Sequence, residues 1–109
     1  MNRVSVGELQ DFVRQHAQTA LLDVREPWER ERAVLNLAGA TDLAIPMGEL
    51  TQRLAEIPDS QPVVCICHHG VRSAQVVAFL MRLGLPLVYN LDGGIDAWAR
   101  EVDPAVPRY

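Results

Sequence analysis

Pro62-Val-Val-Cys-Ile-Cys67 is apolar at every position after the proline, and His68-His-Gly-Val-Arg-Ser73 follows it directly. So short and uniform an apolar run, bounded by proline and then by a polar, glycine-bearing stretch, reads as a strand covered on both faces. From Arg72 to Leu83 the chain is helix-compatible, with Ala74, Val77, Ala78 and Met81 on one face and Gly84 where a C-terminal cap belongs. A buried strand that feeds a helix through a tight loop is the repeating unit of a parallel α/β sheet.

The flanking sequence repeats the alternation. Ser5-Val-Gly-Glu8 has the spacing of a capping box and predicts a first helix to about His16, carried by Val6, Leu9, Phe12 and Val13. Ala20 to Val24 predicts a buried strand leading into a helix with Pro27 near its first turn, docked on the core by Trp28. Leu43 to Ile45 reads as a short strand, and Leu50, Leu54 and Ile57 as an amphipathic helix ended by Pro58. Beyond Pro86, Leu87 to Tyr89 is a further strand, Asp92 to Gly94 a turn, and Ile95 to Arg100 a short helix placing Ala97 and Trp98 on the core; a polar, proline-punctuated tail follows. The expected architecture is a central, mostly parallel sheet with helices on both faces and right-handed crossovers.

Composition narrows the chemistry. The chain has 109 residues, 49% hydrophobic and 22% charged, which suits one small domain. The net charge is −4, so neither a nucleic acid nor an anionic membrane surface is an expected partner. All ten basic residues are arginine. Without lysine there is no Schiff base, no pyridoxal-phosphate attachment and no Walker-type phosphate lysine. No apolar block of signal-peptide or membrane-span length occurs, and a cytoplasmic protein is expected. Cys65 and Cys67 lie two positions apart on one strand, where a disulfide would sit awkwardly; they read as free thiols.

In an open parallel sheet the carboxyl ends of the strands face the ligand crevice, and there stands Cys67. Gly70 lets the backbone curl back and a helix begins at Arg72 or Ser73, so several N–H groups should converge on the sulfur as an anion nest. With a nearby guanidinium, that setting favours the thiolate and makes Cys67 the candidate nucleophile.

The pattern Cys67, Gly70, Arg72, Ser73 resembles the C-x-x-G-x-R-S active loop of single-domain members of the rhodanese family. The likeness extends through Leu22-Asp-Val-Arg-Glu26, Gly39-Ala40, Ile45-Pro46 and Leu91-Asp-Gly-Gly-Ile-Asp-Ala-Trp98. Leu35 to Ala40 lacks the leading glycine, the histidine and the proline of the G-H-I-P-G-A that the family often has there. The resemblance implies a single rhodanese domain over residues 1–109, with a rhodanese-like α/β fold and no metal or cofactor. It implies a sulfurtransferase that carries sulfane sulfur as a persulfide on Cys67. The donor would be a small molecule such as thiosulfate, and the acceptor cyanide or a thiol, including a protein thiol.

The neighbouring residues carry alternatives. His68 and His69 at the pocket mouth either steer an anionic donor or are solvated. Arg72 either contacts the donor's sulfonate with its forked guanidinium or braces the loop by pairing with an acid. Gly70 and Val71 are expected, with the rest of His68 to Ser73, to form the substrate-binding loop. Ser73 caps the helix or touches the sulfur. Asp23 and Arg25, near the crevice, are expected to form a supporting ion pair, and Cys65 to be core. Cys65, Cys67, His68 and His69 look like metal ligands, but adjacent histidines on one tight loop are not expected both to turn inward, and a zinc site lacks four placed ligands. A phosphatase or arsenate reductase on a related loop would use C-x5-R, whereas four residues separate Cys67 from Arg72. A non-enzymatic rhodanese module would commonly lack the cysteine.

Overall fold

The computed structural model covers residues 1–109. Five strands form one sheet: β1 (Arg3–Ser5), β2 (Ala20–Asp23), β3 (Thr41–Ala44), β4 (Val63–Ile66) and β5 (Val88–Asp92). Their order is β1-β5-β4-β2-β3, and all four pairings are parallel. The strand that decided the fold is thus the middle one. All four residues of β4 are buried, as a strand paired on both edges and covered on both faces must be.

The pleat sorts the core into two layers. Val64 and Ile66 point to one side with Leu9 and Val13 of α1 (Leu9–Gln15) and Ile95 and Trp98 of α4 (Gly94–Glu101). Val63, Cys65 and Cys67 point to the other, against Val76, Val77 and Leu80 of α3 (Val71–Arg82). Each layer holds 13 buried residues, so neither sheet face is open to water.

Four sequence expectations change. The first strand is β1, not Ala20 to Val24. It has three residues in an exposed–buried–exposed pattern, too short for periodicity to reveal, and is held by parallel pairing with β5. Its Ser5 donates from both N–H and hydroxyl to Glu8 Oε1, so the box-like contact forms a β1–α1 turn, with Leu9 beginning the helix. The expected helix over Leu50 to Ile57 is two 3-10 segments, Met47–Gln52 and Leu54–Glu56. Met47 with Leu50, and Leu54 with Ile57, are three apart, the spacing that stacks side chains in a 3-10 turn.

Trp28 is the third correction: it is 56% exposed, its ring roughly perpendicular to that of Tyr109. Helix α2 (Pro27–Arg32) instead turns Glu29 inward, to 3% exposure. Adjacent helical positions lie about 100° apart, so burying Glu29 swings Trp28 outward. Strand β5 also differs from the expected Leu87 to Tyr89: it starts at Val88 and runs on to Asp92, its last three residues paired with β1.

Candidate active site

Cys67 follows the last residue of β4, and Gly70 caps α3 from the left-handed region at φ 96°. That turn folds the chain back over the sulfur. Gly70 N–H donates to Cys67 Sγ at 3.1 Å and Ser73 N–H at 3.3 Å. Two N–H groups meet the sulfur, a smaller ring than the several expected. Ser73 Oγ is the third neighbour, also at 3.3 Å.

Asn90 orients that hydroxyl. Its amide nitrogen donates to the Gly70 carbonyl at 3.2 Å and to Asp92 Oδ1 at 3.1 Å, which turns Oδ1 toward Ser73. The Ser73 hydroxyl donates to Asn90 Oδ1 at 2.5 Å while its oxygen lies against the Cys67 sulfur. A thiolate would gain a third donor if that hydroxyl turned to the sulfur.

The loop is held from below by α4. Ile95 N–H donates to the Cys67 carbonyl and Asp96 N–H to the His68 carbonyl, each at 3.0 Å. These are first-turn amides without partners inside their own helix. The approach is close enough that a Cβ on Gly94 would lie 2.5 Å from both carbonyl oxygens.

Arg72 is paired with Glu29: NH1 reaches Oε2 at 2.8 Å and NH2 reaches Oε1 at 2.7 Å. This bond pair holds the Glu29 carboxyl far below the ordinary range, to about 2. An arginine has five N–H donors, so three on Arg72 stay free of Glu29. Arg25 is fully enclosed. It donates to both oxygens of Asp23, to the carbonyls of Glu29 and Ala33, and to the Tyr109 hydroxyl, which occupies all its donors. Asp23 also receives Arg30 at 2.7 Å. Asp23 and Arg25 therefore form a closed buried pair beneath α2.

His68 and His69 do not both turn inward, since His69 is exposed. Their rings stack at 4.0 Å, and His68 stacks on Tyr109 at 3.9 Å. Burial pushes the His68 imidazole below its usual range, His69 adding to the effect, so the neutral ring is favoured. His69 is exposed, with Nε2 4.0 Å from Asp96 Oδ2. His68, His69 and Asp96 bring three ligand-type atoms within 4.8 Å, but the Asp96 oxygens already accept from Arg100 and Arg108. Cys65 is buried in β4, and burial pushes its thiol up to about 12. Cys67 itself is only 1% exposed.

Sequence reasoning missed Glu29, Asn90, Gly94 and Tyr109. Only Gly94 had a local signal, the Gly93-Gly94 pair; the others act across gaps of 17 to 80 residues.

Comparison with known proteins identifies relatives of the whole chain. A sulfurtransferase of Allochromatium vinosum is 36% identical over 106 residues, spanning 97% of this chain and 95% of that protein. A probable adenylyltransferase/sulfurtransferase, MoeZ, of Mycobacterium tuberculosis is 32% identical over the same length, which is 26% of that larger protein. The crystal structure of a rhodanese-related protein from Thermoplasma volcanium superposes with a TM-score of 0.81 at 30% identity, each chain covered in full. The family model of the rhodanese-like domain matches residues 5–101, from the end of β1 to the end of α4, and the chain belongs to that family.

Proposed function

We propose that this chain, acting as one rhodanese domain, moves sulfane sulfur from a donor such as thiosulfate to a thiophilic acceptor such as cyanide or a thiol. The observation that carries the reading is the Cys67 sulfur at the end of the central strand, receiving the N–H groups of Gly70 and Ser73. Fixed donors of this kind favour negative charge on sulfur without reorganising as the charge develops.

In the first step the Cys67 thiolate attacks the outer sulfur of thiosulfate. A new S–S bond forms, the old one breaks, and its electron pair leaves with sulfite. The persulfide's terminal sulfur then carries the negative charge. Cyanide attacks that atom, thiocyanate departs, and the electron pair of the broken S–S bond restores the Cys67 thiolate. His68, His69, Gly70, Val71, Arg72 and Ser73 form the substrate loop, with the free Arg72 donors offered to the donor's oxyanion. Asp23 and Arg25 support it indirectly, Arg25 holding the Glu29 carbonyl and the Tyr109 hydroxyl. The four residues between Cys67 and Arg72 make a ring suited to one extra sulfur atom more than to a phosphoryl group with its oxygens. Two free thiols suit a reducing compartment, and we place the reaction in the cytoplasm.

Intact mass spectrometry after thiosulfate treatment tests the reading. One added sulfur atom on a peptide containing Cys67, discharged by cyanide, is expected; an unchanged mass would overturn it.

A further inference from the structure

Residues 102–109 lie beyond the stretch matched by the family model, and the Tyr109 side chain touches the site at several points. Its ring lies over His68, with 3.9 Å between centroids and 8° between planes. Its hydroxyl donates to Glu29 Oε1 and accepts from Arg25 NH1, both at 2.9 Å. Arg108 anchors the same segment on both oxygens of Asp96, at 2.9 and 3.3 Å. His68 directly follows the nucleophile, and Glu29 holds Arg72 at the far end of the loop. One phenol thus braces both ends of the loop.

The link to Arg72 is geometric. Glu29 accepts both Arg72 bonds, the Glu26 backbone N–H at 2.9 Å and the Tyr109 hydroxyl. A two-bond carboxylate–guanidinium pair fixes the relative orientation of its two planar groups. The carboxylate therefore sets where the remaining Arg72 donors point. Glu26 N–H fixes the Oε2 corner and Tyr109 fixes Oε1, so loss of the phenol leaves Oε1 held by Arg72 alone.

We infer that Tyr109 is a positioning residue for the anionic end of the substrate, acting through Glu29 on the orientation of Arg72. The inference rests on the reading of Arg72 as a donor contact, and its test is chosen to separate the two. Iodoacetate and iodoacetamide are attacked by the same Cys67 thiolate with loss of iodide, but only the first carries a carboxylate. The ratio of their rates cancels the thiolate fraction and reports the guanidinium. Rates are read by intact mass, with Cys67→Ser as the blank for Cys65. In Tyr109→Phe, which keeps the ring over His68, the iodoacetate-to-iodoacetamide ratio should fall about fivefold, the net worth of one hydrogen bond. Tyr109→Ala should fall at least as far, and in both the KM for thiosulfate should rise more than kcat falls. Combining Tyr109→Phe with Arg72→Lys should lower the ratio no further than Arg72→Lys alone, as for residues acting through one contact. An unchanged ratio in both Tyr109 variants, or losses that multiply in the double variant, would overturn the inference. A ratio that falls while neither parent nor variant makes thiocyanate would uphold the positioning role and sink the sulfur-transfer reading instead.

Discussion

Glu29 grips Arg72 with both carboxylate oxygens, at 2.7 and 2.8 Å, across 43 residues of sequence. The single cation of the Cys67–Ser73 loop is thus oriented by an acid on another helix while keeping donors free for a ligand. Contact and brace, which the sequence posed as alternatives for Arg72, are compatible in one geometry.

Arg72→Lys keeps the charge and loses the fork. One of the two bonds to Glu29 goes, and with it the fixed plane. The KM for thiosulfate should rise about tenfold, the scale of one charged hydrogen bond, with a smaller effect on cyanide attack upon preloaded persulfide. Steady-state kinetics in which KM stays put and only turnover falls would show that Arg72 serves the loop alone.

The two cysteines separate by chemistry. Cys67→Ser should abolish thiocyanate formation with the fold retained, since the serine keeps the small buried side chain. Cys65, its thiol pushed up to about 12 by burial, is un-ionised at neutral pH, and Cys65→Ala should keep most of the activity. Persulfide found on Cys65, or equal losses in both variants, would reverse the assignment.

Glu29 makes stability fall in acid. Its folded carboxyl sits at about 2 against 4.5 for the free group, so the contribution is whole above about pH 4.5 and is lost as pH falls through 2. The shift corresponds to about 3 kcal/mol at full expression. Glu29→Gln should be less stable at pH 7, while the gap to the parent narrows between pH 5 and 2. Urea melts across that window measure it, and a gap independent of pH would refute the coupling.

Gly94→Ala should damage the loop from beneath. A Cβ there would lie 2.5 Å from the carbonyl oxygens of Cys67 and His68, and backbone on both sides must move. The expected cost is about 2–4 kcal/mol, together with a large loss of sulfur transfer. Gly48→Ala, with open space around the new methyl, should change stability by about 0.5 kcal/mol or less. Thermal melts of the pair check this; equal melting temperatures would show that α4 does not support the loop by close approach.

The sequence alone determined the parallel α/β class, the central strand and the place of Cys67 directly after that strand. All three are written locally: a short apolar run bounded by proline and a glycine-bearing polar stretch reads as a strand covered on both faces, and glycine three residues beyond the cysteine at its end permits a tight strand-to-helix turn. The family resemblance also ran along contiguous motifs. Strand β1 escaped because three residues carry no usable period and exist as a strand only through pairing with β5. Trp28 misled because apolar character on a six-residue helix does not say which face turns inward; the pairing of buried Glu29 with half-buried Arg72 decided that. Asn90 under Ser73, the α4 amides under Cys67 and His68, and Tyr109 over His68 were likewise decided only in three dimensions. Their partners are brought together by sheet order and chain return, and a hydrogen bond between distant residues leaves no spacing to read in either segment.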